Sequence, residues 1–161
     1  MTDALLDKLE TFRRSETFSP RFLPFAVEAS LWTAKWAKLD EYLKLCLKEN
    51  TGDFNIGIAS AMNALRHGDK STFHETIEGL RLSRAKSMTS NSTSSLQSCH
   101  DELLQLHALS EVEAIVGADG QTPAAKTKLA DALDHRLDLL GVYTFEKQYL
   151  LGLRRAAMAL S

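Results

Sequence analysis

The chain predicts an all-α fold, and three features of the sequence carry that expectation. Apolar residues recur at i, i+3 and i+4 through most of its length, strand-like alternation is missing, and the 3 prolines and 8 glycines fall mostly between periodic runs. Slim and bulky apolar faces alternate along the chain, so the helices are expected to pair as antiparallel hairpins, stacked as a tetratricopeptide- or HEAT-like α-solenoid segment. At 161 residues the chain buries roughly two-thirds of its unfolded surface and needs no disulfide or metal to fold.

Thr2 or Asp3 caps an expected N-terminal helix over 2–16, with Leu5, Leu6, Leu9 and Phe12 on one side. Ser19, Pro20 and Pro24 set a connection and a new helix start. From Leu23 to Leu47, Phe25, Ala26, Ala29 and Trp32 share one helical phase, and Trp36, Leu39, Leu43 and Cys46 share another. The slip between the two predicts a tight turn near Ala34 and Lys35 inside a first hairpin, 22–49. Ala26, Ala29 and Ser30 let the second helix approach, Trp36 and Tyr42 supply bulk, and Asp40 with Lys44 makes an i,i+4 pair on the wet face.

A second hairpin is expected over 53–88. Its first helix carries Phe54, Ile58, Ala61, Met62 and Leu65 and is kept slim by Gly57, Ala59, Ala61 and Ala64. Gly68 sits where a left-handed cap ends that helix, and Ser71 caps the partner, whose stripe is Phe73, Ile77, Leu80 and Arg84 with Met88 beyond. The run Ser87–Ser95 is the one low-complexity stretch; hydroxyl side chains compete for backbone groups at helix starts, so it reads as a capping loop rather than a modification site. Asn91-Ser92-Thr93 matches a glycosylation sequon by chance.

A third hairpin is expected over 92–140. Cys99, Leu103, Leu106, Leu109, Val112 and Val116 mark a long helix stopped by Gly117 and Gly120; Thr122 and Pro123 open the next, with Leu129, Leu133, Leu137 and Leu140. Gly141 closes it. Thr144 is expected to cap an unpaired helix, 144–161, with Phe145, Tyr149, Leu153, Ala156 and Leu160 on one side. The apolar pattern is still running at Ser161, as in a piece of a longer helical array, and the whole of 1–161 reads as one helical-repeat segment.

Composition narrows the function classes. A net charge of -2 with 25% charged residues promises no basic surface for a phosphate backbone, so no direct nucleic-acid binding is expected. No stretch reaches membrane-span length, and the acidic N-terminus is no signal peptide, so a soluble intracellular protein is expected. Cys46 and Cys99 lie far apart on apolar phases and read as two reduced core thiols.

The sequence assigns no catalytic, cofactor-binding or metal-binding residue. The five histidines, His67, His74, His100, His107 and His135, lack zinc spacing: His100 and His107 share a face but stand two turns apart. Gly117–Gly120 resembles a phosphate loop only superficially, lacking the lysine and the preceding strand. Asp131, Asp134 and Asp138 read as a solvated face. Arg81, Arg84 and Lys86 are expected to pair internally with glutamates such as Glu78. For Arg154 and Arg155 an internal pair and an acidic partner surface both stay open.

Four segments, PFAVEASLWTAKWAKLDEYL, FNIGIASAMNALRHGD, STSSLQSCHDELLQLHALSEVEAI and LGLRRAAMALS, in this order and spacing, resemble the FAT domain of ATR-type checkpoint kinases, a fungal-like member of the PI3-kinase-related family. Where that pattern carries an aromatic, this chain has Leu31, with Trp32 one residue later. The resemblance implies a non-catalytic helical scaffold that clamps and regulates the kinase domain of its own polypeptide. It implies contacts with neighbouring helical repeats and with a second copy or partner subunit, and a nuclear role in the response to DNA damage and replication stress. The parent enzyme would phosphorylate Ser or Thr followed by Gln; this segment has no such step and no kinase motif. The same architecture would also suit a free-standing adaptor holding a peptide in its groove. A small helical enzyme or metalloprotein would rest only on the scattered histidines and acids.

Overall fold

A computed structural model describes Ala4, Asp7, Lys8, Thr11 and residues 20–46, 52–90 and 96–160. The expected helix over 2–16 lies largely outside the described residues. Seven α-helices and one 3-10 turn account for the rest, with no strand among the described residues. They are α1 (Leu23–Trp32), α2 (Trp36–Cys46), α3 (Phe54–Arg66), α4 (Lys70–Ser90), α5 (Leu96–Gly117), α6 (Pro123–Leu139) and α7 (Thr144–Met158). None is long and apolar enough to cross a membrane. Two compact units divide the chain, Met1–Leu80 and Arg81–Ser161.

In the first unit α1 is the central element and packs against both α2 and α3. That explains why it is apolar nearly all round: Leu23, Ala26, Val27, Ala29, Ser30 and Leu31 are all buried. Leu31, at the position where the resembled pattern has an aromatic, is 1% exposed, while Trp32 is half-buried. Ser30 is buried without cost because its hydroxyl donates to the Ala26 carbonyl at 2.7 Å. The turn falls at Thr33 and Ala34, where the Lys35 amide donates to the Ser30 carbonyl and Ala34 takes a positive φ of 54°.

Phe25, expected on the packed side of α1, is 58% exposed, because the small residues and not the aromatic face the neighbouring helices. Trp36 is only half-buried, with the Arg66 guanidinium 6.0 Å from its ring centroid; Tyr42 and Leu39 supply the buried bulk of α2. Asp40 does not serve an i,i+4 pair on α2: its carboxylate accepts from Asn63 at 2.6 Å and from Arg66 at 3.2 Å on α3.

Asp53 caps α3 by accepting from the Asn55 and Ile56 amides. Gly68, at φ +80°, closes it with bonds from Gly68 N to Leu65 O and Asp69 N to Ala64 O. The start of α4 is capped by Asp69, not Ser71; its carboxylate accepts from the Thr72 amide and hydroxyl, which holds it below the usual carboxylate range. An aspartate already in place on the turn outcompetes a hydroxyl two residues further on.

In the second unit α5 packs chiefly against α7 and less against α6. The helix expected to stand unpaired therefore shares the core with α5; Leu150, Leu153, Ala156 and Ala157 of α7 and Ala108, Leu109, Val112 and Ile115 of α5 are all buried. The two run in the same direction, since Glu146 lies near His100 and Arg154 near Glu111. Thr122 caps α6 and Pro123 starts it, while Gly120 and Gly141 take the positive φ that their turns need. Thr144 is not the cap of α7: Tyr143 occupies that position without a side-chain bond, and the Thr144 hydroxyl donates back to the Val142 carbonyl. Phe145 is 85% exposed, off the buried face of α7.

Candidate functional site

Polar side chains converge at one place in the core of the second unit. Glu111 and Arg154 are 2% and 5% exposed. Arg154 Nε donates to Glu111 Oε2 at 2.8 Å and its Nη2 donates to Oε1 at 2.9 Å. Nη2 also donates to the Leu133 carbonyl at 2.8 Å, so one guanidinium joins α5, α6 and α7. A third charge, Arg136, stands 4.0 Å from Glu111 Oε1, too far for a hydrogen bond. A paired charge in the interior needs this full set of partners, because an ion left without them carries a desolvation penalty of several kcal/mol.

Beside this node lies a cleft of about 130 Å³ lined by Leu104, His107, Glu111, Arg136, Leu139, Leu140 and Leu150. A second cavity, about 200 Å³, is lined by Ile115, Ala118, Leu129, Ala130, Leu133 and Met158, with Asp119 and Lys126 at its polar edge. Both fall below the roughly 300 Å³ at which small-molecule pockets begin. They suit single side chains of a partner better than a cofactor. Leu139, on the lining of the first cleft, is 74% exposed, and Val142 and Phe145, just beyond the end of α6 in sequence, are 90% and 85% exposed.

The first unit holds a polar cluster of another kind. Burial raises the affinity of Asp40 for a proton, but the hydrogen bond from Asn63 and the nearby His67 and Arg66 outweigh it and hold the carboxyl below its ordinary value. Glu28 goes the opposite way, pushed up by burial and then by the Asp53 carboxylate, with only a long bond from Asn55 Nδ2 at 3.4 Å. Burial and Asp53 likewise push the Cys46 thiol up, as for an inert structural cysteine. Cys46 is buried, Cys99 half-buried, and neither forms a disulfide.

The histidines do not converge. His67 faces Asp40 at 3.6 Å, His100 faces Glu146 at 3.7 Å and the Tyr143 ring, and His74, His107 and His135 are exposed. Among the described residues no group of three or more His, Cys, Asp or Glu is placed to hold a metal ion. Asp131, Asp134 and Asp138 are all exposed, and Gly117–Gly120 leads into a helix-to-helix turn. Arg81 pairs with Glu113 of α5, and the Ser87 hydroxyl donates to Glu102. Arg154, open to two readings in the sequence, is internal; Arg155 beside it is exposed.

Sequence reasoning missed Glu111 altogether, although a signal was there. It sits three residues after Ala108 and four before Ile115, inside the apolar stripe of α5, as Arg154 sits between Leu150 and Ala157 on α7. One acid and one base, each lodged in a stripe, mark a buried pair. A family model described as the FAT domain matches residues 23–161. No curated protein and no solved structure matches the chain.

Proposed function

This chain belongs to the FAT domain family, and from that premise we propose that it steadies and regulates the kinase domain of an ATR-type checkpoint kinase. FAT domains are helical, non-catalytic scaffold regions of PI3-kinase-related proteins. On the finer reading, the hairpins are successive turns of a tetratricopeptide-like solenoid in a nuclear enzyme answering DNA damage and replication stress. Its partners are the kinase domain and adjoining repeats of the same polypeptide, with a second copy or partner subunit as a further contact.

One observation supports a mechanical role most directly. Arg154 Nε and Nη2 donate to both oxygens of Glu111 and to the Leu133 carbonyl, so three helices are tied by directional bonds that a hydrophobic contact alone would not supply. A stiff support transmits displacement from one end to the other; packed interiors shift between discrete arrangements rather than yielding continuously.

The test is Arg154→Leu in the full-length kinase. Phosphorylation of a Ser-Gln peptide falls, while binding of a nucleotide analogue to the kinase domain is retained. Unchanged peptide phosphorylation, with this segment demonstrably loosened by hydrogen exchange, overturns the regulatory reading.

A further inference from the structure

We propose that the cleft beside Glu111 is an anchor pocket for an acidic partner segment, which inserts one bulky apolar side chain and sets a carboxylate against Arg136. The proposal rests on the scaffold reading and supplies the chemistry of one partner that the scaffold holds.

Size argues for the anchor. About 130 Å³ walled by Leu104, Leu139, Leu140 and Leu150 takes a leucine or phenylalanine and little else. Leu139 forms an exposed rim at 74%, so an incoming apolar group meets apolar surface before it reaches the bottom.

Charge argues for the acid. Both oxygens of Glu111 are already taken by Arg154, so that pair is neutral and closed. Arg136 is the remaining charge; its side chain is 44% exposed and makes only the 4.0 Å approach to Glu111. A guanidinium beside a low-dielectric apolar wall binds carboxylate bidentately and more strongly than one in open water. His107, also on the lining, supplies a ring N–H in either protonation state. The acids of α6 do not compete. Asp131, Asp134 and Asp138 are exposed on the face of the helix turned away from Leu133, Arg136 and Leu140. The larger cavity, with Asp119 and Lys126 at its edge, has one charge of each sign and no such preference.

The probes are three labelled helical peptides: one with glutamate a turn from leucine, one with lysine for glutamate, and one with alanine for leucine. Fluorescence anisotropy with the 161-residue chain reads binding, and the methyl signals of Leu104, Leu140 and Leu150 read its place. The Glu-Leu peptide binds and shifts those methyls. Arg136→Glu weakens it by about tenfold or more and turns preference to the Lys peptide; Leu139→Ser weakens it similarly. Both positions are exposed, and circular dichroism together with an Arg136→Gln variant, which adds no negative charge beside Glu111, separates loss of binding from loss of fold. Equal binding of the Glu and Lys peptides, equal binding without leucine, or no binding of the Glu-Leu peptide at millimolar concentration overturns the proposal. The kinase test above concerns Arg154, outside the cleft lining, so the scaffold reading stands or falls separately.

Discussion

Arg154 holds Glu111 through two parallel hydrogen bonds of 2.8 and 2.9 Å in a core where neither residue is more than 5% exposed. Removing one partner leaves the other charge buried, which is far worse than removing both. Arg154→Ala is expected to destabilise the second unit by about 3–5 kcal/mol, while the pair Glu111→Leu with Arg154→Leu costs much less or nothing. Urea denaturation of Glu111→Leu, Arg154→Leu and the double variant closes the cycle. A loss for the double variant equal to the sum of the two single losses would mean that the ions are not coupled.

Ala34 is the residue that a helix-ending turn normally reserves for glycine. Its φ of 54° lets the Ala34 and Lys35 amides reach the carbonyls of Leu31 and Ser30, and the left-handed conformation costs an L-residue about 1–2 kcal/mol. Glycine removes that cost but adds freedom to the unfolded chain, worth about 0.4–1 kcal/mol. Ala34→Gly should therefore raise stability by about 0.5–1 kcal/mol in thermal unfolding, and Ala34→Val should lower it.

Gly57 and Gly79 offer a matched comparison. A Cβ at Gly57 would lie 2.6 Å from Leu80 Cδ2, whereas one at Gly79 meets nothing within 4 Å. Alanine in a helix is worth about 1 kcal/mol over glycine when space permits. Gly79→Ala should show that gain. Gly57→Ala should lose it to crowding, and adding Leu80→Ala should relieve the crowding. Should Gly57→Ala stabilise as much as Gly79→Ala, the terminal methyls of Leu80 would have turned aside to make room.

Helices and most of their ends were legible because their causes are local. Periodicity marked α3, Gly68 and Gly141 marked two stops, and Thr122 with Pro123 marked a start. Which face is buried is not local, and there the aromatics misled: Phe25 and Phe145 carry the right spacing yet stay exposed, while Tyr42 is 1% exposed. Spacing fixes that residues share a face but not which neighbour covers it. For the same reason the pairing of α5 with α7 was hidden, since it joins helices that are not adjacent in sequence. The turn at Ala34 was visible from the phase slip, but its positive φ was not, because no glycine announced it. The cleft depends on Leu104, Arg136 and Leu150 from three helices, and no single stretch of sequence contains it.

Two carboxylates of the first unit should bend its stability in opposite directions with pH. Asp40, held below its ordinary value against the effect of burial by Asn63, His67 and Arg66, binds its proton less readily folded than unfolded. Its contribution is present above the unfolded value of about 3.9 and is lost as pH falls through the lower folded value. Glu28, raised by burial and then by Asp53, binds its proton more readily when folded. Stability from this group is present below the unfolded value of about 4.3 and is lost as pH rises through the higher folded value. At pH 7, Asp40→Asn should therefore lower the melting temperature and Glu28→Gln should raise it. Both differences should shrink in acid: that of Glu28→Gln as pH falls through the raised glutamate value, that of Asp40→Asn only below about pH 4. Melting curves between pH 3 and 8 for the two variants decide it. A loss at neutral pH for Glu28→Gln would show that its bond to Asn55 outweighs the burial of its charge.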